Sequence, residues 1–172
     1  IGNTLLVVLG LSVLSLSQWI ISKYYAEEMV KKSSANLSER FVEHALRQAE
    51  QTTSYLTEAL INPMYFYDLE GVQLLLKPAL KNPSILNVQV FDNKGRIFQT
   101  GGESIDNYGT PLAMPNVEKA ILELNQPYIQ QNDTKLIIAN PLIFNNELLG
   151  GLVIQYSLKP VYVDIKRNKS II

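Results

Sequence analysis

YDLEGVQLLLKPALKNPSILNVQVFDNKGRIFQT, residues 67–100, is the stretch that decides the fold. Its first half has apolar residues at helical spacing, which predicts a helix over residues 69–81 that ends before Pro83. Its second half alternates over residues 85–92, turns at Asn93-Lys94-Gly95 and returns over residues 96–100. Alternation on both sides of a tight turn is typical of a β-hairpin, so a helix followed by an antiparallel hairpin is predicted. The residues expected on the inner face of the helix are Leu69, Val72, Leu75, Leu76 and Leu80.

Upstream of that stretch, residues 1–22 carry no charged side chain. A helix of this length covers about 33 Å, close to the roughly 30 Å hydrocarbon thickness of a bilayer. Trp19, Tyr24 and Tyr25 lie near its end, and aromatic side chains favour the membrane interface. We therefore expect a transmembrane helix over residues 1–22. The alternative is a secretory signal peptide, although no A-x-A cleavage site follows.

Residues 23–62 are predicted to form one long stalk or signalling helix, with Asn62-Pro63 as its end. Mostly small residues recur along it at helical spacing: Ala35, Ser38, Val42, Ala45, Ala49, Thr52, Leu56 and Ala59. They fit a heptad seam that would meet the same helix of a second copy in a homodimer. They also fit packing on the domain's own sheet. The part before Leu37 is too polar for such packing, so we expect it to be a stalk.

The remainder of the folded domain is predicted to be mostly β. Asn116 is expected to cap a short helix after a Gly- and Pro-rich loop. Strands are predicted over residues 128–131, 135–144 and 148–158. The two longer strands are apolar on both faces, so the sheet should be covered on both sides, with room for a pocket beneath the short helix and loops. The residues expected on the inner face of the short helix are Val117, Ala120, Ile121 and Leu124.

These elements predict an α+β fold with a five-stranded antiparallel sheet flanked by helices, occupying residues 63–159. Pro160 is predicted to begin an exit helix over residues 160–172. Lys166, Arg167 and Lys169 precede two isoleucines there, which we interpret as the approach to a second transmembrane span.

Several kinds of chemistry are excluded by composition. The chain has no cysteine, one histidine (His44) and a net charge of −1. A Ser/His/Asp triad, a thiolate site and a clustered metal site are therefore not expected. The near-balanced charge offers no field to hold nucleic acid. We expect no enzymatic activity, no metal and no cofactor within these residues.

The order of elements resembles the extracytoplasmic PAS-like sensor domains of bacteria, the Cache family in the broad sense. Residues 67–100 look like their pattern of a short helix, a strand ending in Asp, a Gly turn and a returning strand. Residues 148–158, LLGGLVIQYSL, are similar to the last strand that feeds their exit helix. The Tyr/Arg/Trp-rich signature of amino-acid-binding Cache domains is absent.

This resemblance implies a sensor (signal-input) domain in the periplasm, anchored in the bacterial inner membrane. Such modules occur in sensor histidine kinases, chemoreceptors and membrane-bound enzymes of cyclic di-GMP metabolism. Their input is a small molecule or a periplasmic protein, and a shift is passed through the membrane to a cytoplasmic output domain. The competing hypothesis is a pilin-like structural subunit, whose apolar helix would carry an acidic residue near its start; residues 1–22 have none.

Candidate ligand-binding residues are aromatic and polar side chains in loops, at element ends and in the sheet strands. A pocket needs only a few convergent polar groups. The alternative for the tyrosines is that they cap the core and bind nothing. The candidate residues are Tyr67, Gln89, Arg96, Tyr108, Tyr128 and Asn140.

Overall fold

The computed structural model describes residues 2–102 and 107–159, and the predicted exit helix lies outside them. Within the described residues the chain forms three α-helices, a 3-10 turn, a π-helical turn and five strands. The helical elements are α1 (Gly2–Tyr65), α2 (Leu69–Leu76), the 3-10 turn Ala79–Lys81, and α3 (Pro115–Glu118), which continues as the π-helical turn Lys119–Glu123. The strands are β1 (Ile85–Asp92), β2 (Ile97–Gln99), β3 (Tyr128–Gln131), β4 (Lys135–Phe144) and β5 (Glu147–Ser157).

The five strands form one antiparallel sheet in the order β2-β1-β5-β4-β3. The predicted α+β class and five-stranded sheet are therefore confirmed. The central strand β5 is buried along most of its length. It can be apolar on both sides because helices cover both faces of the sheet.

Two apolar clusters lie on opposite faces of the sheet. On one face, α1 and α2 contribute Leu56, Leu60 and Leu76 to a large cluster with the inner residues of the strands. On the other face, Val117 and Ile121 of α3 and its π-helical turn pack on Phe91 and Val153. The expected cover on both sides is thus present. Ala49 and Leu56, two members of the predicted heptad seam, belong to the first cluster, so this half of α1 packs on its own sheet.

The predicted end of the long helix at Asn62-Pro63 is wrong. α1 continues through Pro63 to Tyr65. Proline removes one N–H donor, and in the last turn of a helix this breaks a single hydrogen bond. The turn closes regardless, because the carbonyl oxygen of Pro63 accepts a 2.8 Å hydrogen bond from the N–H of Asp68.

The helix predicted over residues 69–81 is shorter than expected. α2 ends at Leu76, and a separate 3-10 turn, Ala79–Lys81, follows Pro78. Pro78 has no N–H with which to continue the α-helical pattern. As a consequence Leu80, predicted to face inward, is 38% exposed.

Asn116 is not the cap of the short helix. Pro115 occupies the first turn of α3 and Met114 is the N-cap residue, without a side-chain hydrogen bond. Proline suits the first helical position because its φ is already helical and its missing N–H has no partner there. Leu124, expected on the inner face, terminates the π-helical turn and is 55% exposed.

Among the described residues, none of the helices is both long enough and apolar enough to cross a membrane. The span predicted over residues 1–22 stays a prediction.

Candidate ligand-binding face

Four amide side chains lie on the face of the sheet that α3 covers. Gln89 of β1 pairs with Val153 of β5, and Asn87 pairs with Gln155. Paired residues of antiparallel strands point to the same face. Val153 packs in the α3-side cluster, so this register places all of these side chains on that face. Gln130 of β3 joins them through its pairing with Ile137 of β4, and we call Asn87, Gln89, Gln130 and Gln155 the amide patch.

The amide patch lies over and beside an apolar floor. Ala139 and Val153 are buried, and Ile137 and Tyr128 pack against the same cluster. Asn87, Gln89 and Gln155 are half-buried, whereas Gln130 is exposed. One of these side chains is hydrogen-bonded within its own strand: the Tyr128 hydroxyl donates to Oε1 of Gln130 at 2.9 Å. Hydrogen-bonding side chains beside apolar ones are the chemical make-up of sites for small polar ligands.

Met114 and Phe91 bound the amide patch on the α3 side. The Nε2 of Gln155 donates to the sulfur of Met114 at 3.8 Å, which links the patch to the loop before α3. Phe91 is completely buried beside Ile121. A Cβ atom at Gly151 would lie 2.4 Å from the Phe91 ring, so glycine is needed there to admit the ring. Around Phe91 the α3-side face of the sheet is therefore covered by apolar side chains, and the polar side chains of this face begin at Gln89.

The six predicted ligand residues fall in three places. Gln89 and Tyr128 lie on the α3 face in one row across the sheet, linked by Val153 and Ala139. Asn140 pairs with Leu152, which belongs to the α1-side cluster. Its Nδ2 donates to Oγ1 of Thr57 on α1 at 3.3 Å. The sheet therefore separates Asn140 from Gln89 and Tyr128.

The other three predicted residues gather near the β1–β2 hairpin. The rings of Tyr67 and Tyr108 both contact Phe98, with centroid distances of 6.3 and 6.1 Å. Tyr67 and Tyr108 also lie close enough to Arg96 to help raise its pKa, although the hydrogen bond with Asp92 is the main cause. Tyr67 is 74% exposed and has a φ of 55°, a conformation that costs free energy for a bulky residue. Tyr67 and Tyr108 are both exposed, so neither acts as a core cap.

Arg96 already has a partner. Its Nη2 and Nε donate to Oδ2 of Asp92 at 2.7 and 2.9 Å. Partial burial acts to raise the pKa of Asp92, but hydrogen bonds from the Arg96 side chain and from the backbone N–H groups of Arg96 and Lys94 outweigh it and leave the pKa below its usual value. The pair closes the hairpin turn, so the structure gives Arg96 a structural role that the sequence did not predict.

Three members of the amide patch were missed by sequence reasoning: Asn87, Gln130 and Gln155. The signal for Asn87 was present, because LNVQV places it two residues before Gln89, on the same side of a strand. Gln155 interrupts the apolar run of β5 and carried a similar signal. Gln130 looked like any exposed strand residue. Within the part of the chain that the structure describes, no cluster of acidic, histidine or cysteine side chains is arranged to hold a metal ion.

No protein-family model matches the sequence. No curated protein matches it significantly either. Information about relatives therefore comes from solved structures alone.

The fold is similar to sensory domains of bacterial receptors. The ligand-binding domain of the Campylobacter jejuni chemoreceptor Tlp3, solved with L-valine, matches with a TM-score of 0.58 at 16% identity over 81% of this chain and 64% of that chain. A domain of a sensory box/GGDEF family protein from Vibrio parahaemolyticus gives 0.55 at 11% identity, over 81% and 64%. The sensor domain of the V. cholerae histidine kinase DctB gives 0.50 at 14%, over 78% and 58%.

This chain spans less than two thirds of the length of each of these domains. At such low identities the likeness concerns the fold. The expectation drawn from residues 67–100 and 148–158 is confirmed at that level: the fold of this chain is similar to the folds of sensory domains of a bacterial chemoreceptor and a histidine kinase.

Proposed function

We propose that this chain is the extracytoplasmic signal-input domain of a transmembrane signal-transduction protein. The observation that carries the proposal is the amide patch, three of whose four side chains are half-buried, on a fold similar to that of ligand-binding sensor domains. In this proposal residues 1–22 anchor the domain in the bacterial inner membrane, the folded part lies in the periplasm, and residues 160–172 lead to a second span. The output domain would be cytoplasmic.

The chemistry of the amide patch indicates the kind of ligand. Its side chains offer both donors and acceptors, and none is charged. A ligand with hydroxyl or amide groups would exchange hydrogen bonds with Gln89 and Gln155 over the apolar floor. A free carboxylate or ammonium would find no opposite charge within the patch. We therefore favour a small neutral polar ligand over the amino acid named for the Tlp3 domain.

Transmission would use the contact between the sheet and α1. A ligand biases two conformations only by its different affinity for them. The amide patch includes Gln155 on β5, and the next residue, Tyr156, points to the opposite face and bonds with α1. A ligand that shifts β5 would therefore move the residues after Ser157 relative to α1.

The test uses a panel of sugars, polyols, amides and free amino acids, with ligand-induced thermal shifts of the whole chain as the readout. Gln89→Ala and Gln155→Ala should abolish the shift of at least one compound that stabilises the native chain. Gln131→Ala is the matched control, since Gln131 is an exposed glutamine in β3 paired with Leu136 of the α1-side cluster. If every shift survived both patch variants, no ligand would bind at the amide patch, and a panel without any shift would count against small-molecule sensing.

We also propose that the chain is a homodimer through the first half of α1. Tyr24, Tyr25 and Met29 are exposed there by 67, 62 and 71%, although they are apolar or aromatic. The chain has no native cysteine, so single cysteines introduced over residues 24–37 can form only intermolecular disulfides. Cross-linking in membranes should follow a helical period, and Gln51→Cys, farther along α1, should not cross-link. Uniform or absent cross-linking would contradict the dimer.

A further inference from the structure

A cavity of about 110 Å³ lies between α1 and the end of β5. Gln48 and Thr52 of α1 line one side, and Ser84 and Ser157 are among the residues lining the other. Leu136, at its base, belongs to the apolar cluster on the α1 face. The cavity is therefore on the opposite side of the sheet from the amide patch and is a separate feature.

The cavity follows from small side chains on α1. Ala45 and Ala49 of α1 are among the lining residues, and their short side chains leave room between the helix and the strands. Tyr156 fills part of it, with its hydroxyl donating to the carbonyl oxygen of Ala49 at 3.1 Å. The space beside the ring remains unfilled.

The walls offer hydrogen bonds of both kinds. The Thr52 hydroxyl donates to the carbonyl oxygen of Gln48 at 2.9 Å, so its oxygen lone pairs remain able to accept. The Ser157 hydroxyl oxygen accepts from the N–H of Lys159 at 3.3 Å, so its proton remains available to donate. The Gln48 amide adds a donor and an acceptor.

No charged side chain is among the lining residues. A carboxylate or ammonium would lose part of its hydration there without meeting an opposite charge. From the size and the lining we propose that this cavity is a second binding site, for a small uncharged molecule that both donates and accepts hydrogen bonds, such as a primary amide or a diol.

A molecule bound in this cavity would contact different elements from a ligand at the amide patch. A molecule in the cavity touches α1 on one side and the last residues of β5, Tyr156 and Ser157, on the other. It would fix the distance between the helix that enters the domain and the strand that leaves it. The proposal does not depend on the function of the amide patch.

The test compares propionamide with propionate, which has nearly the same shape but carries a charge. Both are titrated into the isotopically labelled whole chain, and backbone amide NMR shifts are followed. Propionamide should give saturable shifts over residues 45–52 and 156–158, with a Kd on the order of 1–10 mM for so few atoms. Propionate should give none at the same concentration. Shifts that never saturate, or equal binding of propionate, would overturn the proposal, as would occupation by water alone.

Ala45→Leu fills the cavity and should weaken propionamide binding by about tenfold or more. Gln51→Leu is its control, because Gln51 is an exposed α1 residue that does not line the cavity. Thr52→Val keeps the shape of the side chain and removes its hydroxyl, so it provides a second variant if Ala45→Leu does not fold. Unchanged affinity in whichever of these cavity variants folds would place the binding site elsewhere.

Discussion

The phenolic oxygen of Tyr156 on β5 lies 3.0 Å from Oγ1 of Thr53 on α1, and both side chains are buried. Each hydroxyl is also within hydrogen-bond distance of the carbonyl oxygen of Ala49, at 2.8 Å for Thr53 and 3.1 Å for Tyr156, so two hydroxyl protons are shared among three contacts. Three neutral groups thus tie the last strand to the long helix in the interior of the domain. In the proposed mechanism, a movement of β5 would reach α1 through these hydrogen bonds and the apolar contacts around them.

Tyr156→Phe should lower the free energy of unfolding by about 1 kcal/mol, because the ring stays and the hydroxyl hydrogen bonds are lost. Chemical denaturation of the purified chain measures the difference. Tyr55→Phe is the matched control, since Tyr55 lies on the same helix and is 70% exposed. Equal losses of unfolding free energy in the two variants would mean that the hydrogen bonds of Tyr156 do not stabilise the fold.

The same tyrosine should make the protein sensitive to alkali. Burial raises the pKa of Tyr156, and the hydrogen bond with Thr53 only partly opposes it. Because the pKa in the folded state is above the unfolded value of about 10, the stabilisation is fully present below about pH 10. It is lost as the pH rises through the folded-state pKa. Denaturation between about pH 8 and 11 should show this loss, and Tyr156→Phe should reduce it. An identical decline in the variant would contradict the assignment.

Gly150→Ala should be severely destabilising, by about 3 kcal/mol or more. Gly150 has a φ of 147°, and an added Cβ would lie 1.9 Å from the carbonyl oxygen of Phe91 in the neighbouring strand. Gly109→Ala is the control: its φ is 77° but no atom lies within 4 Å of the added Cβ, so only the backbone cost of about 1 kcal/mol applies. Thermal unfolding of both variants separates the two effects, and similar losses would be inconsistent with a close approach at Gly150.

Asp92→Asn should weaken the hairpin by about 0.2–1 kcal/mol, because the Arg96 guanidinium keeps its charge but loses its anionic partner, and solvent screens this pair. The pKa of Asp92 is lowered in the folded protein. Its stabilising effect is therefore present above the unfolded pKa of about 3.9 and is lost as the pH falls through the folded-state value. Unfolding measured from about pH 7 down to 2 should show a smaller acid loss in the variant. Asp133→Asn, at the exposed turn before β4, serves as control.

Much of the fold was predictable because its local signals agree with one another. β1, β3 and β4 begin and end where the sequence predicted, since alternating apolar residues stop at turn residues. Asn145 and Asn146 have φ values of 49° and 64°, which a two-residue hairpin requires and asparagine tolerates. The helix ends were less predictable. Pro63 predicts a helix end but lies within the last turn of α1, and the apolar periodicity over residues 69–81 predicts a helix through Pro78, although α2 ends at Leu76.

The candidate site was only partly predictable, for a different reason. Gln89 and Asn140 are both polar residues in apolar strands, and no feature of the sequence shows that they lie on different faces of the sheet. The register of β1 and β4 against β5 sends Gln89 toward α3 and Asn140 toward Thr57 on α1. A shift of one residue in a strand exchanges its two faces, so pairing decides which polar groups can meet.

The sequence by itself determined residues 67–100 as a helix and a hairpin, and the double burial of β4 and β5, because these depend on periodicity and turn residues close together in the chain. Only the tertiary structure showed three further relationships. Asp92 forms a salt bridge with Arg96, four amide side chains share one face of the sheet, and the Tyr156 hydroxyl contacts that of Thr53 beside a cavity. The Asp92–Arg96 pair depends on the closed hairpin, and the other two relationships join residues far apart in sequence. The shared face of the amides and the Tyr156–Thr53 contact follow from sheet register and helix packing, which no local pattern encodes.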